Sequence, residues 1–157
     1  MIPHYPLPES DLGKTLIAAS DVLAVCKDPW WVITGAAAAL HGETSLPTSD
    51  VDILLSTADA PNVAERIGAR LARGTATETF HSEVFFRWHA APLPVEFMAH
   101  FRVRESGRWE RVLPRSRASV LVGEKVLYVP DRPELIDMFR RFGRPKDLIR
   151  AQGLASV

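Results

Sequence analysis

Thr34-Gly35-Ala36-Ala37-Ala38-Ala39-Leu40-His41-Gly42, a loop over residues 43–49, and then Ser49-Asp50-Val51-Asp52-Ile53-Leu54-Leu55 form the stretch on which the fold turns. Ahead of it, Trp30-Trp31-Val32-Ile33-Thr34 is a short β-prone run that predicts a buried strand. Gly35 ends that strand, and Ala36 to Leu40 predicts a helix closed by His41-Gly42. Asp50 to Leu55 predicts a second strand. Residues two apart in a strand share a side, so Asp50 and Asp52 project together while Val51 and Ile53 point into the core. Two neighbouring carboxylates repel each other unless a cation lies between them. Magnesium takes oxygen ligands and commonly uses one or two carboxylates together with substrate phosphates. A strand that passes through Gly into a helix start also turns backbone N–H groups toward a phosphate. The plainer reading makes Asp50 a loop cap and Asp52 a solvated strand residue. Two acids opening an otherwise apolar strand, about 15 residues after a strand–Gly–helix unit, favour the cation.

Outward from this centre, Ser10 caps a helix whose apolar positions Leu12, Leu16, Ile17, Val22, Leu23 and Cys26 recur at helical spacing up to Asp28-Pro29. Pro61 to Arg73 predicts a helix with Asp59 near its cap and Gly74 beyond its end. Strands are expected at residues 83–89 and 94–99, joined by Ala90-Ala91-Pro92-Leu93, whereas the Arg-rich residues 101–117 carry no clear signal. Val120 to Val129 reads as a hairpin through Gly123-Glu124-Lys125. Helices over 133–142 and 145–152 are separated by Gly143, with Pro145 at a start. The order implies a small α/β (α+β) fold: a mixed sheet packed by helices, as one domain over residues 1–157. Its core spans about 10–130 and its helical C-terminal segment about 131–157.

Composition bounds the function. With 46% apolar and 24% charged residues, the 157-residue chain is globular and long enough for its own core. No apolar run approaches a membrane span, and the first residues lack the basic and apolar regions of a secretory signal. The one cysteine, Cys26, excludes an internal disulfide and a Cys-based zinc site. A cytoplasmic protein is the expectation. The zero net charge hides an asymmetry: residues 1–100 hold 6 Lys/Arg against 12 Asp/Glu, and residues 101–157 hold 13 against 7. An acidic front and a basic back suit a site that holds cations on one side and phosphates on the other, though two solvated faces give the same arithmetic.

Gly35-Ala36 at a helix start, followed by the triplet Asp50-Val51-Asp52, resembles the nucleotidyltransferase superfamily, the polymerase-β-like fold. Gly-x-Ala-x-x-Leu-His-Gly and Thr48-Ser49-Asp50-Val51-Asp52 look most like its small bacterial members. Those include the minimal nucleotidyltransferases and abortive-infection toxins of toxin–antitoxin pairs. Gly143-Arg144-Pro145-Lys146-Asp147-Leu148 is similar to a segment frequent there. For the third acid of the family pattern, Glu96 is favoured, because Val95 and Phe97 flank it in an alternating run; Glu83 is the runner-up. The resemblance implies that Asp50, Asp52 and Glu96 are catalytic metal ligands for Mg²⁺ or Mn²⁺. It also implies that Thr34, Gly35, Ala36, Ser49 and Lys146 contact a nucleoside triphosphate such as ATP. An acceptor hydroxyl on a protein, a tRNA end or a small molecule would attack the α-phosphorus, with pyrophosphate leaving. A partner protein or a second copy of the chain could complete the acceptor side. Two other readings stand beside this one: a non-catalytic binding module of the same fold, and a nucleic-acid-binding protein led by its basic C-terminal third.

Other residues read more plainly. His41 is balanced between a helix C-cap and a place near substrate. The spacing of His81, His89 and His100 matches no zinc motif. Cys26 is expected in the core of the first helix, and Trp88 and Trp109 are expected in packing rather than base stacking. Arg140, Arg141, Arg144, Lys146 and Arg150 crowd the terminal helices as a solvated face or, more sharply, as contacts to triphosphate or RNA.

Overall fold

The computed structural model describes residues 1–157. The element order is α1 (Asp11–Leu23), β1 (Trp31–Ile33), α2 (Thr34–Leu40), β2 (Val51–Leu54), α3 (Ala60–Ile67), β3 (Phe80–Trp88), β4 (Val95–Glu105), β5 (Arg108–Arg111), β6 (Ala118–Val122), β7 (Lys125–Val129), α4 (Arg132–Phe142) and α5 (Pro145–Ser156). A mixed sheet runs β1-β2-β4-β3, with β2 and β4 parallel and the other pairs antiparallel. β5 continues the edge of β4 beyond the end of β2, and β6 and β7 form a separate hairpin. The chain is thus an α+β fold with a mixed sheet, as its order of elements implied.

Local chemistry explains most boundaries. Ser10 Oγ accepts from the Gly13 N–H and starts α1. Asp131 does the same for α4 through the Glu134 N–H, and Gly143 ends α4 in the left-handed conformation. α3 stops at Ile67, short of the expected Arg73, because Gly68 takes a left-handed φ of 69° and closes the last turn. Ala72 then bridges Phe85, so the segment after α3 lies along the open edge of β3. α1 likewise stops at Leu23, so Cys26 sits past the helix, half-buried. Burial and the Asp59 charge push its thiol up to about 12, which keeps it un-ionised at neutral pH.

Residues 101–111, which carried no clear sequence signal, extend β4 and turn through Ser106-Gly107 into β5, with both turn residues at positive φ. The core is continuous between the sheet and the helices. Phe97, Ile53, Val51 and Ile33 from the strands meet Leu16, Leu23, Phe139, Leu135 and Leu154 from the helices, all fully buried. α2 packs against both α4 and α5, which places the C-terminal basic residues beside the Gly35 turn. No helix is long and apolar enough to cross a membrane.

Candidate active site

Backbone pairing puts the acids in one row. Ile33 at the end of β1 pairs with Asp52, Asp52 pairs with Glu96 across the parallel β2–β4 ladder, and Glu96 pairs with Arg87 on β3. Along β2 and β4, Val51, Ile53, Val95 and Phe97 are fully buried while Asp52 and Glu96 keep a small part of their surface open, so the acids leave the core face and meet above it. Asp50 stands one residue before β2, where the Val51 N–H is held by the Pro94 carbonyl at 2.9 Å. One carboxylate oxygen from each of Asp50, Asp52 and Glu96 lies within 4.8 Å of the others. Glu83 is exposed on β3 and takes no part in this group.

Thr34 ties the Gly35 turn to the acids. Its hydroxyl donates to Asp52 Oδ2 at 2.5 Å, and its backbone is left-handed at φ 56°. A β-branched residue rarely adopts that conformation, so the turn is held there by its surroundings. Burial, then the Asp50 charge, pushes the Asp52 carboxyl up to about 7, against the opposing effects of the Thr34 hydrogen bond and the Arg144 charge. Glu96 is also raised, first by burial and then by Asp50, with Arg87 opposing at 3.7 Å. Arg144 and Arg87 offset only part of the repulsion among the three crowded carboxylates, and both raised carboxyls remain short of positive charge. The donors are all hard oxygens, so the group fits a divalent cation of the magnesium or manganese kind.

A cleft of about 680 Å³ opens over this row. Thr34, Gly35, Ser49, Asp50, Asp52, Glu96 and Lys146 line it, whereas Ala36 is buried in the core and is not on its wall. The sequence reading gave no individual role to Arg144 and Arg150, which line the cleft beside Lys146. Arg150 reaches over the turn. A Cβ on Gly35 would stand 2.7 Å from its guanidinium, and that guanidinium donates to the Pro47 carbonyl at 3.3 Å. Arg144 is aimed by the fully buried Asp147, which accepts from its Nε at 2.6 Å and its Nη2 at 3.0 Å while the guanidinium lies over the Phe80 ring. Arg73 and Arg87 line the cleft as well. The missed signal was the i, i+3 pair Arg144–Asp147 at a helix start. His41 is a structural contact, with Nε2 2.8 Å from the Pro130 carbonyl.

The fold has counterparts among solved structures. A candidate nucleotidyltransferase from Thermotoga maritima superposes with a TM-score of 0.68 at 21% identity, covering 90% of this chain and 89% of that one. The chain has the nucleotidyltransferase fold. The lincosamide antibiotic adenylyltransferase LnuA, solved with lincomycin bound, is similar over 91% of this chain and 96% of that one, with a TM-score of 0.59 at 12% identity. The antibiotic-resistance factor ANT(2'')-Ia, solved in solution, is similar over 90% and 82%, at 0.56 and 11%. No protein-family profile matches the sequence, and no curated protein matches it. The likeness therefore rests on backbone shape, which the nucleotidyltransferase fold keeps here at low identity.

Proposed function

We propose that this protein is a divalent-metal-dependent nucleotidyltransferase, which moves a nucleoside monophosphate from a nucleoside triphosphate to a hydroxyl acceptor. The observation that carries the reading is the convergence of Asp50, Asp52 and Glu96 within 4.8 Å beside the Gly35 turn. Asp50, Asp52 and Glu96 would hold Mg²⁺ or Mn²⁺. When bound, the metal supplies neutralising charge and Lewis-acid polarisation to the triphosphate. The chain's own groups do the positioning. Thr34 fixes one oxygen of Asp52 and leaves the other without a hydrogen bond. Gly35 lets a phosphate approach the backbone, and Ser49 stands on the same wall. Lys146, Arg150 and Arg144 draw the triphosphate toward that turn from α5 and its N-cap. Glu96, raised by burial, is suited to take the proton of the acceptor hydroxyl. The acceptor oxygen forms its bond to the α-phosphorus as the bond to the bridging oxygen breaks, and pyrophosphate leaves.

The test uses triphosphates radiolabelled at the α-phosphate, with Mg²⁺ and, in separate reactions, total RNA, total protein and a panel of aminoglycoside and lincosamide antibiotics. The parent protein is expected to place label on one of these acceptors, and Asp52→Asn and Glu96→Gln to reduce that transfer by at least 100-fold, about 2.7 kcal/mol or more in barrier. Transfer that survives both substitutions would overturn the assignment of the acids.

A further inference from the structure

The β4–β5 hairpin carries a feature that nucleotide chemistry at the acids does not use. Arg102 pairs with Arg111 across this ladder, and Arg104 pairs with Trp109. Partners across a ladder project from one face, as do residues two apart along a strand. Three arginines and a tryptophan therefore share a face. His81 extends it onto β3, opposite Arg102, with Nδ1 2.5 Å from the Arg102 guanidinium. The His81 and Trp109 rings are 5.9 Å apart, and the Arg104 guanidinium lies 5.6 Å from the Trp109 ring centre.

The positive charge here is not spent within the fold. None of Arg102, Arg104 and Arg111 is in an ion pair. Of the hairpin acids, Glu105 is held by Arg141 at 2.6 Å, and Glu110 pairs with Val103, on the alternate face. The one acid on β3 is the exposed Glu83. Arg102 Nε is the one buried side-chain nitrogen or oxygen without a hydrogen-bond partner. His81 also lines the 680 Å³ cleft, so the basic face runs into it.

We propose that this face binds a single-stranded nucleic acid: the arginines take successive phosphates, Trp109 stacks on a base, and the strand passes His81 into the cleft. Arginines interleaved with a half-buried aromatic ring that keeps part of its surface open recognise the two features that every single strand repeats, a charged backbone and a flat base. An acidic peptide offers only the first of these. The binding face stands on the hairpin alone. That the bound strand is the acceptor rests on the transferase reading.

The test is fluorescence anisotropy of an end-labelled, mixed-sequence single-stranded RNA of about 12 nucleotides, a length within the usual site size for such surfaces, with the full chain over a range of NaCl. Binding is expected to weaken steeply with salt. Arg104→Ala/Arg111→Ala, at two exposed positions, should weaken it at least tenfold and flatten the logarithmic salt slope by about 1.4, the change for two lost phosphate contacts on a single strand. Trp109→Ala should weaken it about tenfold with the slope unchanged. No RNA binding, or equal affinity and slope in the double variant, would overturn the proposal. Equal competition by duplex RNA or by polyglutamate would do so too. Mg·NTP titration in parallel separates the two claims: failure there with RNA still bound sinks the transferase reading and leaves the binding face standing.

Discussion

Asp52 carries the conflict on which the site is built. Its carboxyl is pushed up to about 7 by burial and by Asp50, so the folded chain holds its proton more tightly than the unfolded chain does. The penalty for ionising it is therefore absent below pH about 4, grows between 4 and 7, and is complete above 7. Without divalent metal, stability should fall as pH rises through that window, at up to roughly 1.4 kcal/mol per pH unit. Asp52→Asn should flatten the slope, leaving the part that Glu96 contributes, and raise metal-free stability at pH 8 by about 1–3 kcal/mol, read from urea midpoints. A variant less stable than the parent at pH 8 would contradict this. Mg²⁺ affinity should weaken below pH 7 for the same reason, since proton and metal compete for one oxygen. At this scale the sequence was readable where alternation sufficed: Asp50, Asp52 and Glu96 each stand out beside buried neighbours. Thr34 was readable as a neighbour of the site but not as a strained one. Nothing in a β-branched residue announces φ 56°, because the conformation is imposed by the strand-to-helix turn around it.

Among elements, α5 and its N-cap bring the cations to the Gly35 turn, and Asp147 holds that arrangement. It is fully buried and accepts from Arg144 through both the guanidinium and the backbone N–H. Asp147→Ala should cost about 2–4 kcal/mol in urea unfolding, since it strips a buried cap and leaves Arg144 without its partner. It should also weaken Mg·NTP binding, whereas Lys146→Ala, at an exposed position on the cleft wall, should weaken that binding with little loss of stability. Equal NTP affinity in the parent and Lys146→Ala would remove Lys146 from the site. The Gly143–Pro145 signal made this helix legible, yet the ion pair inside it was invisible to a reading that weighed Arg144 with its basic neighbours, as a solvated face or as contacts to triphosphate or RNA. The β4–β5 hairpin was missed for a related reason. Ser106-Gly107 is a turn signal, but the strands beside it are charged at the positions that face water, and Phe101, Val103 and Val112 alone mark the buried side. In α3, the helix-forming composition after Gly68 outweighed the glycine that ends it.

For the whole molecule, the charge asymmetry is a division of labour across one cleft. Of the residues lining it, the acidic first hundred supply Asp50, Asp52 and Glu96 together with Arg73 and Arg87, and the basic remainder supplies Arg144, Lys146 and Arg150. The sequence held the two signs apart but not their meeting, which depends on parallel pairing of β2 with β4 and on α2 packing against α4 and α5. One consequence is that metal and triphosphate should each raise the melting temperature, and together by more than either alone. The most direct test of the account is calorimetric titration of ATP, GTP, CTP and UTP in Mg²⁺, on the parent protein and on Asp50→Asn/Asp52→Asn. The account predicts metal-dependent binding of at least one triphosphate by the parent and its loss in the folded double variant. Absence of binding by all four in the folded parent, or equal binding by both proteins, would contradict it.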